Sequence, residues 1–391
     1  MFEKILKNKY SKNFFLILLL FITGIFSSTA VYLIRNTGIN NRPHDGRQYA
    51  KMLSLLKENK INTLKDLNHS DYSNCEMLSR FLRPLYSLSG MIFFLEKDEK
   101  KALFKVSVIY YIFSGILVYL ILYLLSGDIF GSFIGGLLYY FHFISLNYGL
   151  NVLAESGSHF FFFLIVLCDL KFFYLKKDIS VLDILLTGFV CGIGFLMKEN
   201  TLAGSFFCGF LILFSNNKFL KKIYFAAILI LSFLLPVLLW QFYSQKEIGY
   251  TLWQWLSDSY ISASQLKKFT LLRFFIGLLI TGNILFLPSL INLLQEKKNR
   301  LLISLFFISG IIPLFMAKAF HDRTFFYILP AFLIPSVKVL SDWMTKKKVI
   351  VILFLLFFIF INISMFFIYN NNNIYKWLNS VLNLSVNVNF P

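Results

Sequence analysis

A chain of 391 residues that is 57% hydrophobic, 19% aromatic and only 15% charged, with a mean hydropathy of +0.68, excludes a soluble globular domain, where about a quarter of residues carry charge. Its 38 Lys and Arg against 20 Asp and Glu give a formal charge of +18, which on one soluble face would point to nucleic acid. Here the basic residues fall in short clusters between apolar runs, the positive-inside pattern of a polytopic membrane protein, so membrane lipids and not nucleic acid are the expected surroundings.

The 48 Phe, together with many Lys, Asn and Ile, are what an AT-rich genome would encode, and carry no functional message. Cys168, Cys191 and Cys208 lie in apolar segments and Cys75 in a polar loop. With no CxxC present, neither a disulfide framework nor redox chemistry is expected.

In chain order, Lys4, Lys7, Lys9 and Lys12 precede an apolar run over 13–34, long enough for a hydrocarbon core of about 30 Å. It reads as an uncleaved first span with a cytoplasmic amino terminus, since no small-residue cleavage site ends it. Residues 35–102 then form a long polar loop on the outer face. Within it, Tyr49, Met52, Leu53, Leu55 and Leu56 recur at helical spacing and predict a short helix lying on the membrane surface. A second patch, from Arg80 to Leu95, has too few apolar residues to span and is expected at the interface or partway in.

Further spans are predicted at 103–126, 129–149, 156–175, 180–197, 200–215, 222–243, 270–293, 300–317, 324–341 and 349–369, about eleven with the first. The fold class is therefore all-α, polytopic, with a long first extracytoplasmic loop carrying interfacial helices. The inner connections then hold Lys171/Lys176/Lys177, Lys218/Lys221/Lys222, Lys297/Lys298/Arg300 and Lys346/Lys347/Lys348, which orient the chain in the plasma or inner membrane. Gly131 with Gly135 and Gly136, and Gly188 with Gly192, mark close helix approaches. No sequence period repeats, and no pair of interrupted helices at matching places in two halves is visible, as a transporter built of inverted repeats would tend to show.

Charges at membrane depth are costly and usually functional. Asp45, in His44-Asp45-Gly46-Arg47-Gln48-Tyr49, follows the first span; Glu155 opens the fourth; Lys198-Glu199 ends the fifth; His321-Asp322-Arg323 precedes Thr324 to Pro330. Under this topology all face one side. Singly, Glu155 and Lys198 are ordinary interface charges that snorkel to water, and Arg323 a headgroup anchor. Jointly they describe a site for an anionic lipid phosphate beside a general base, with Arg offering a fork to phosphate oxygens and Lys a point charge.

The order Asp45-x-x-x-Tyr49, Arg83-Pro-Leu-Tyr86, Ala154-Glu155, Gly194-x-x-x-Lys198-Glu199 and Arg323-x-x-x-Tyr327-x-x-Pro330 resembles the GT-C superfamily of membrane glycosyltransferases. It looks most like the branch with protein O-mannosyltransferases and the lipid A aminoarabinose transferase. The match runs over 14–340 through short, degenerate motifs whose specificity lies in their order. The resemblance implies one GT-C-like catalytic module over 1–345, including the outer loop 35–102, followed by a last helix and short Asn-rich outer tail over 346–391. It further implies transfer of a sugar from a polyprenyl-phosphate donor to a glycan, lipid or protein acceptor at the extracytoplasmic face, with Asp45 as base. Asp45-Gly46 stands where many relatives have paired acidic residues, and the tail leaves no room for the acceptor-recognition module of larger relatives.

Attack of an acceptor hydroxyl or amine on an anomeric carbon needs a base, and the departing lipid phosphate needs its charge stabilised. Asp45 and Glu155 are the expected catalytic carboxylates, and Lys198 and Arg323 the expected phosphate ligands. His44, Tyr49, Arg83, Tyr86, Glu199 and His321 are the expected supporting residues. Glu155 and His159, four apart, share a helix face and with His44 or His321 would make a mixed donor set for a divalent metal ion, although that spacing is also a common accident. A transporter or flippase of a lipid-linked sugar would also need Lys and Arg near phosphate, but would place charges mid-span. An O-antigen polymerase or ligase would place its large outer loop late in the chain.

Overall fold

The computed structural model describes residues 9–36, 44–67, 72–176, 179–255, 257, 271–296, 300–316 and 322–370. The side chains of 9, 36, 44, 45, 72, 73, 75, 76, 271–273, 316 and 322 lie outside that description. Every regular element among the described residues is helical.

The first long helix, α1 (Lys9–Asn36), is followed by three shorter ones, α2 (His44–Lys57), α3 (Tyr72–Leu82) and α4 (Leu85–Ser89). Helix α5 (Glu99–Ser126) starts where Asp98 accepts from the amides of Lys100 and Lys101, and ends at Gly127, whose φ of +68° favours glycine. Asp128 caps α6 (Ile129–Phe141) through the amides of Phe130 and Gly131. There follow α7 (Glu155–Asp169), α8 (Val181–Met197, opened by a Ser180/Asp183 capping box), α9 (Leu202–Phe214) and α10 (Phe219–Ile248). The remainder comprises α11 (Leu271–Gly282), α12 (Phe286–Gln295), α13 (Arg300–Met316), α14 (Leu329–Lys346) and α15 (Lys348–Asn370).

Among the described residues 7 helices are long and apolar enough to cross a membrane: Tyr10–Arg35, Glu99–Ser126, Glu155–Tyr174, Phe219–Ile248, Phe274–Gln295, Arg323–Lys346 and Lys348–Asn370. The other apolar segments of the sequence form the shorter helices Ile129–Phe141, Val181–Met197, Glu199–Phe214 and Arg300–Phe315. At 1.5 Å per residue these extend roughly 20 to 26 Å, less than a hydrocarbon core of about 30 Å.

Two apolar runs read as continuous from sequence are interrupted. The run 129–149 stops being α-helical at His142, whose backbone is extended (φ −68°, ψ 134°), and continues as a π turn over Ser145–Gly149. The run 270–293 breaks at Asn283 (φ +46°) between α11 and α12. The two breaks are bound together: His142 Nε2 lies 3.0 Å from the Thr281 carbonyl, and Asn362 Oδ1 on α15 accepts from the Phe143 amide (2.8 Å) and from Asn283 Nδ2 (3.2 Å). Polar side chains from other helices thus satisfy backbone groups that an unbroken helix would satisfy itself.

Helix α2 forms where the spacing predicts it, but its apolar face is turned into the protein and not onto a lipid surface. Met52 and Leu53 are fully buried and Tyr49 nearly so. Met52 packs with Leu78, Phe81 and Leu82 of α3, and Leu53 and Tyr49 with Tyr86 of α4 and Leu103 of α5. The patch from Arg80 onward is likewise folded inward, with Phe81 and Tyr86 at 0% exposure. Burial against neighbouring helices, worth about 1.5 to 3 kcal/mol per large side chain, competes successfully with the interface.

The paired glycines act as expected at α8 against α10. A Cβ at Gly192 would stand 2.3 Å from the Phe233 carbonyl oxygen, and one at Gly188 would stand 2.7 Å from that of Leu229. Cys168, Cys191 and Cys208 are free thiols.

Candidate active site

Glu155 is the first residue of α7, where the helix N-terminus favours a negative charge. It is 2% exposed. A buried carboxylate needs cationic partners, and two reach it: Lys198 Nζ at 2.5 Å from Oε1 and Arg323 Nη1 at 3.0 Å from the same oxygen. Three positions spread over 169 residues of sequence are therefore one site.

Local structure explains how each arrives. Helix α8 ends at Lys198, whose backbone is fully extended (φ −167°, ψ 139°), and a short 3-10 turn over Glu199–Thr201 leads into α9. The Lys198 carbonyl is held by the Thr201 amide and hydroxyl. Extended backbone sends successive side chains to opposite sides. Lys198 accordingly goes to Glu155, and Glu199 to an ion pair with Arg83, itself 8% exposed.

Arg323 stands on a 3-10 turn, Asp322–Ile328, that runs into α14. That turn meets one face of α7 over a full helical turn. Arg323 pairs with Glu155, the Tyr327 hydroxyl with that of Ser158, and the Phe326 ring stacks on His159 with centroids 3.4 Å apart. Positions 155, 158 and 159 share a helix face by their i, i+3, i+4 spacing. The turn is pressed against α13 at Gly310, where a Cβ would come 2.5 Å from the Tyr327 carbonyl oxygen.

A second polar chain fixes the start of α7 from the other side. The Tyr86 hydroxyl lies 2.7 Å from Ser107 Oγ, which donates to the Asn151 carbonyl at 2.6 Å, and Ser156 Oγ donates to Ser107 at 3.2 Å. Burial pushes the Tyr86 phenol well above its usual range, so it acts here as a neutral hydroxyl. Tyr49 stands edge-on to Tyr86 with centroids 5.0 Å apart, and the Arg80 guanidinium lies 4.7 Å over the Tyr49 ring while donating to Gln48 Oε1 at 3.2 Å. Arg83 lies 5.0 Å over the ring of Trp255.

Of the residues expected from sequence, Glu155, Lys198 and Arg323 converge, Arg83 pairs with Glu199, and Tyr49 packs on Tyr86. The His44 and Asp45 side chains and His321 lie outside the described residues. The expected metal set does not assemble from what is described. No group of three or more His, Cys, Asp or Glu suited to a metal occurs among the described residues, Glu155 is engaged by two cations, and His159 is sandwiched against Phe326. Sequence reasoning passed over Ser158, Ser107, Ser156, Phe326 and Trp255. Only Ser158 had a usable signal, its i+3 spacing from Glu155.

No family model matches this chain, and no curated protein does. Among solved structures, the oligosaccharyltransferase of Archaeoglobus fulgidus, determined in complex with zinc and sulfate, overlaps 74% of this chain at 15% identity with a TM-score of 0.42. The overlap covers 43% of that chain, so this protein spans less than half of its length. An overlap of that identity and score fixes neither a shared fold nor a shared activity.

Proposed function

We propose that this chain is an integral membrane glycosyltransferase of the GT-C type, moving a sugar from a polyprenyl-phosphate donor to a glycan, lipid or protein acceptor at the extracytoplasmic face of the membrane. The observation that carries the reading is the gathering of Lys198 and Arg323 on the buried Glu155. Charges of this kind at one end of a membrane bundle are too costly to be incidental. Held by a fixed carboxylate, the two cations are preorganised for the phosphate that departs with the lipid, where charge grows in the transition state.

The acceptor O–H or N–H attacks the anomeric carbon, the bond from that carbon to the phosphate oxygen breaks with its electron pair on the phosphate, and a base takes the acceptor proton. Asp45 is the proposed base. It stands one helical turn before Tyr49 on α2, and Tyr49 packs on the Tyr86 that anchors the start of α7. Glu155, expected to be catalytic, is the positioning residue for the two cations.

Lys198→Ala and Arg323→Ala should each weaken polyprenyl-phosphate donor binding by roughly ten to a hundredfold, the weight of one charge-assisted hydrogen bond. Asp45→Asn should leave that binding intact and slow transfer by about a hundred to ten thousandfold. Donor affinity unchanged in both cation variants of folded protein would place the phosphate elsewhere.

A second reading, transport of the lipid-linked sugar, is favoured by one observation: the interrupted helices that meet at His142 and Asn283. It requires that purified protein in vesicles move the donor between leaflets without consuming it, and that Asp45→Asn leave this movement unchanged.

A further inference from the structure

Helix α7 and its continuation, 20 residues from Glu155 to Tyr174, carry the chain roughly 30 Å away from the charge cluster. There the helix loosens into a π turn at Leu170–Tyr174, a rare form that occurs frequently at functional sites. A cleft of about 630 Å³ opens at this point between the end of α7, the end of α9 and the start of α13. A volume of that size lies within the range of small-molecule pockets.

Its two parts differ in chemistry. The interior is walled by Phe173, Leu211, Leu302 and Leu305, all buried, whereas Lys176, Ser215, Asn216 and Asn217 stand at the more exposed mouth. The segments 170–176, 214–222 and 300–305 contain Lys171, Lys176, Lys218, Lys221, Lys222 and Arg300 and no acidic residue, while the wall at Ile179 leads to Asp183, the carboxylate that pairs with Lys176. Lys176 is bound to Asp183 at 2.5 Å, which fixes it at the rim, and Lys222 Nζ donates to the Leu213 carbonyl at 2.7 Å. The Asn217 amide donates to Ser215 Oγ at 3.1 Å, so the loop between α9 and α10 is tied into one polar edge.

We propose that this cleft is a binding site for an anionic glycerophospholipid of the leaflet at that end of the bundle. One acyl chain would occupy the apolar interior. The headgroup phosphate would meet the amides and hydroxyl of the mouth within a predominantly basic surround, with Lys176 shared with Asp183. Charge complementarity selects the anionic headgroup, and the surrounding apolar helices make the bilayer the source of the ligand. The site is separate from the Glu155 cluster and does not depend on the reaction proposed for it.

The test is retention of lipid by the full-length purified protein. Phosphatidylglycerol and phosphatidylcholine are supplied in equal amounts, and bound lipid is read by native mass spectrometry. Phosphatidylglycerol should be retained in preference. Asn217→Asp, which adds one negative charge at the mouth without changing volume, should lower that retention about fivefold. Leu302→Trp, which fills the interior, should abolish retention of either lipid. Equal retention of the two lipids, or unchanged phosphatidylglycerol retention in Asn217→Asp, overturns the proposal. So does retention of polyprenyl phosphate in place of phosphatidylglycerol, which would make the cleft a second carrier site. Asn217→Asp keeps the test decisive if Leu302→Trp fails to fold, and inorganic phosphate alone should not displace the lipid.

Discussion

Helix α7 carries a buried carboxylate near each end, and the two are treated in opposite ways. Glu155 is met by Lys198 and Arg323. Asp169, at 0% exposure beside the Cys208 thiol, has neither oxygen in a hydrogen bond of good geometry among the described residues. The same chemical group on the same helix therefore has two meanings. One holds cations at the mouth of the bundle, and the other sits among thiols and apolar side chains in its interior. Partners, and not depth alone, distinguish the two carboxylates.

The largest expected effect tests the first half of that contrast. Glu155→Gln removes the carboxylate charge that Lys198 and Arg323 share, their side chains 12% and 28% exposed. Breaking a buried charge set by removing one partner costs about 3 to 5 kcal/mol, and the exposure of Arg323 puts this case at the lower end, about 3 kcal/mol. Thermal unfolding in detergent should show a clear loss of stability, and donor binding should fall with it. Unchanged stability would mean that Glu155 organises nothing.

A smaller effect is expected where the 3-10 turn of Arg323 is held against α7. Gly310→Ala would force a Cβ into the Tyr327 carbonyl, and overpacking of this kind costs about 1 to 3 kcal/mol. Tyr327→Phe leaves Ser158 without its tyrosine partner and should cost about 1 kcal/mol. Both should weaken donor binding more than a remote substitution of equal cost such as Ser336→Ala, because they shift Arg323 relative to Glu155. Parallel loss in all three would make the turn merely structural.

How far the sequence was readable follows from the range of each signal. Apolar runs and the spacing of Tyr49, Met52 and Leu53 are local, and the helices they imply are present. Which way α2 faces is not local. It depends on Phe81 and Tyr86 offering a protein surface that displaces lipid. The breaks at His142 and Asn283 were invisible for the same reason, since Thr281, 139 residues from His142, and Asn362, 219 residues from Phe143, supply the hydrogen bonds that make those breaks tolerable. At the site, Glu155, Lys198 and Arg323 stood out as costly charges and lie together, while the Asp45 side chain is outside the described residues. The supporting Ser158, Ser107 and Trp255 did not, because residues of those types occur throughout such a chain without consequence.

The smallest expected effect tests the other half of the contrast. Asp169→Asn keeps the shape of the side chain and replaces a carboxyl group that no described cation meets with a neutral amide. With no ion pair to break, the change should cost less than the about 3 kcal/mol expected at Glu155. Donor binding and sugar transfer should be unaltered, since the residue lies at the end of α7 away from Lys198 and Arg323. Measured beside Glu155→Gln on the same helix, in the same detergent, the pair of variants separates the two roles directly. Should Asp169→Asn abolish activity while Glu155→Gln leaves it intact, the functional carboxylate of α7 is at its inner end. A path through the membrane interior, as transport requires, would then replace a site at its mouth.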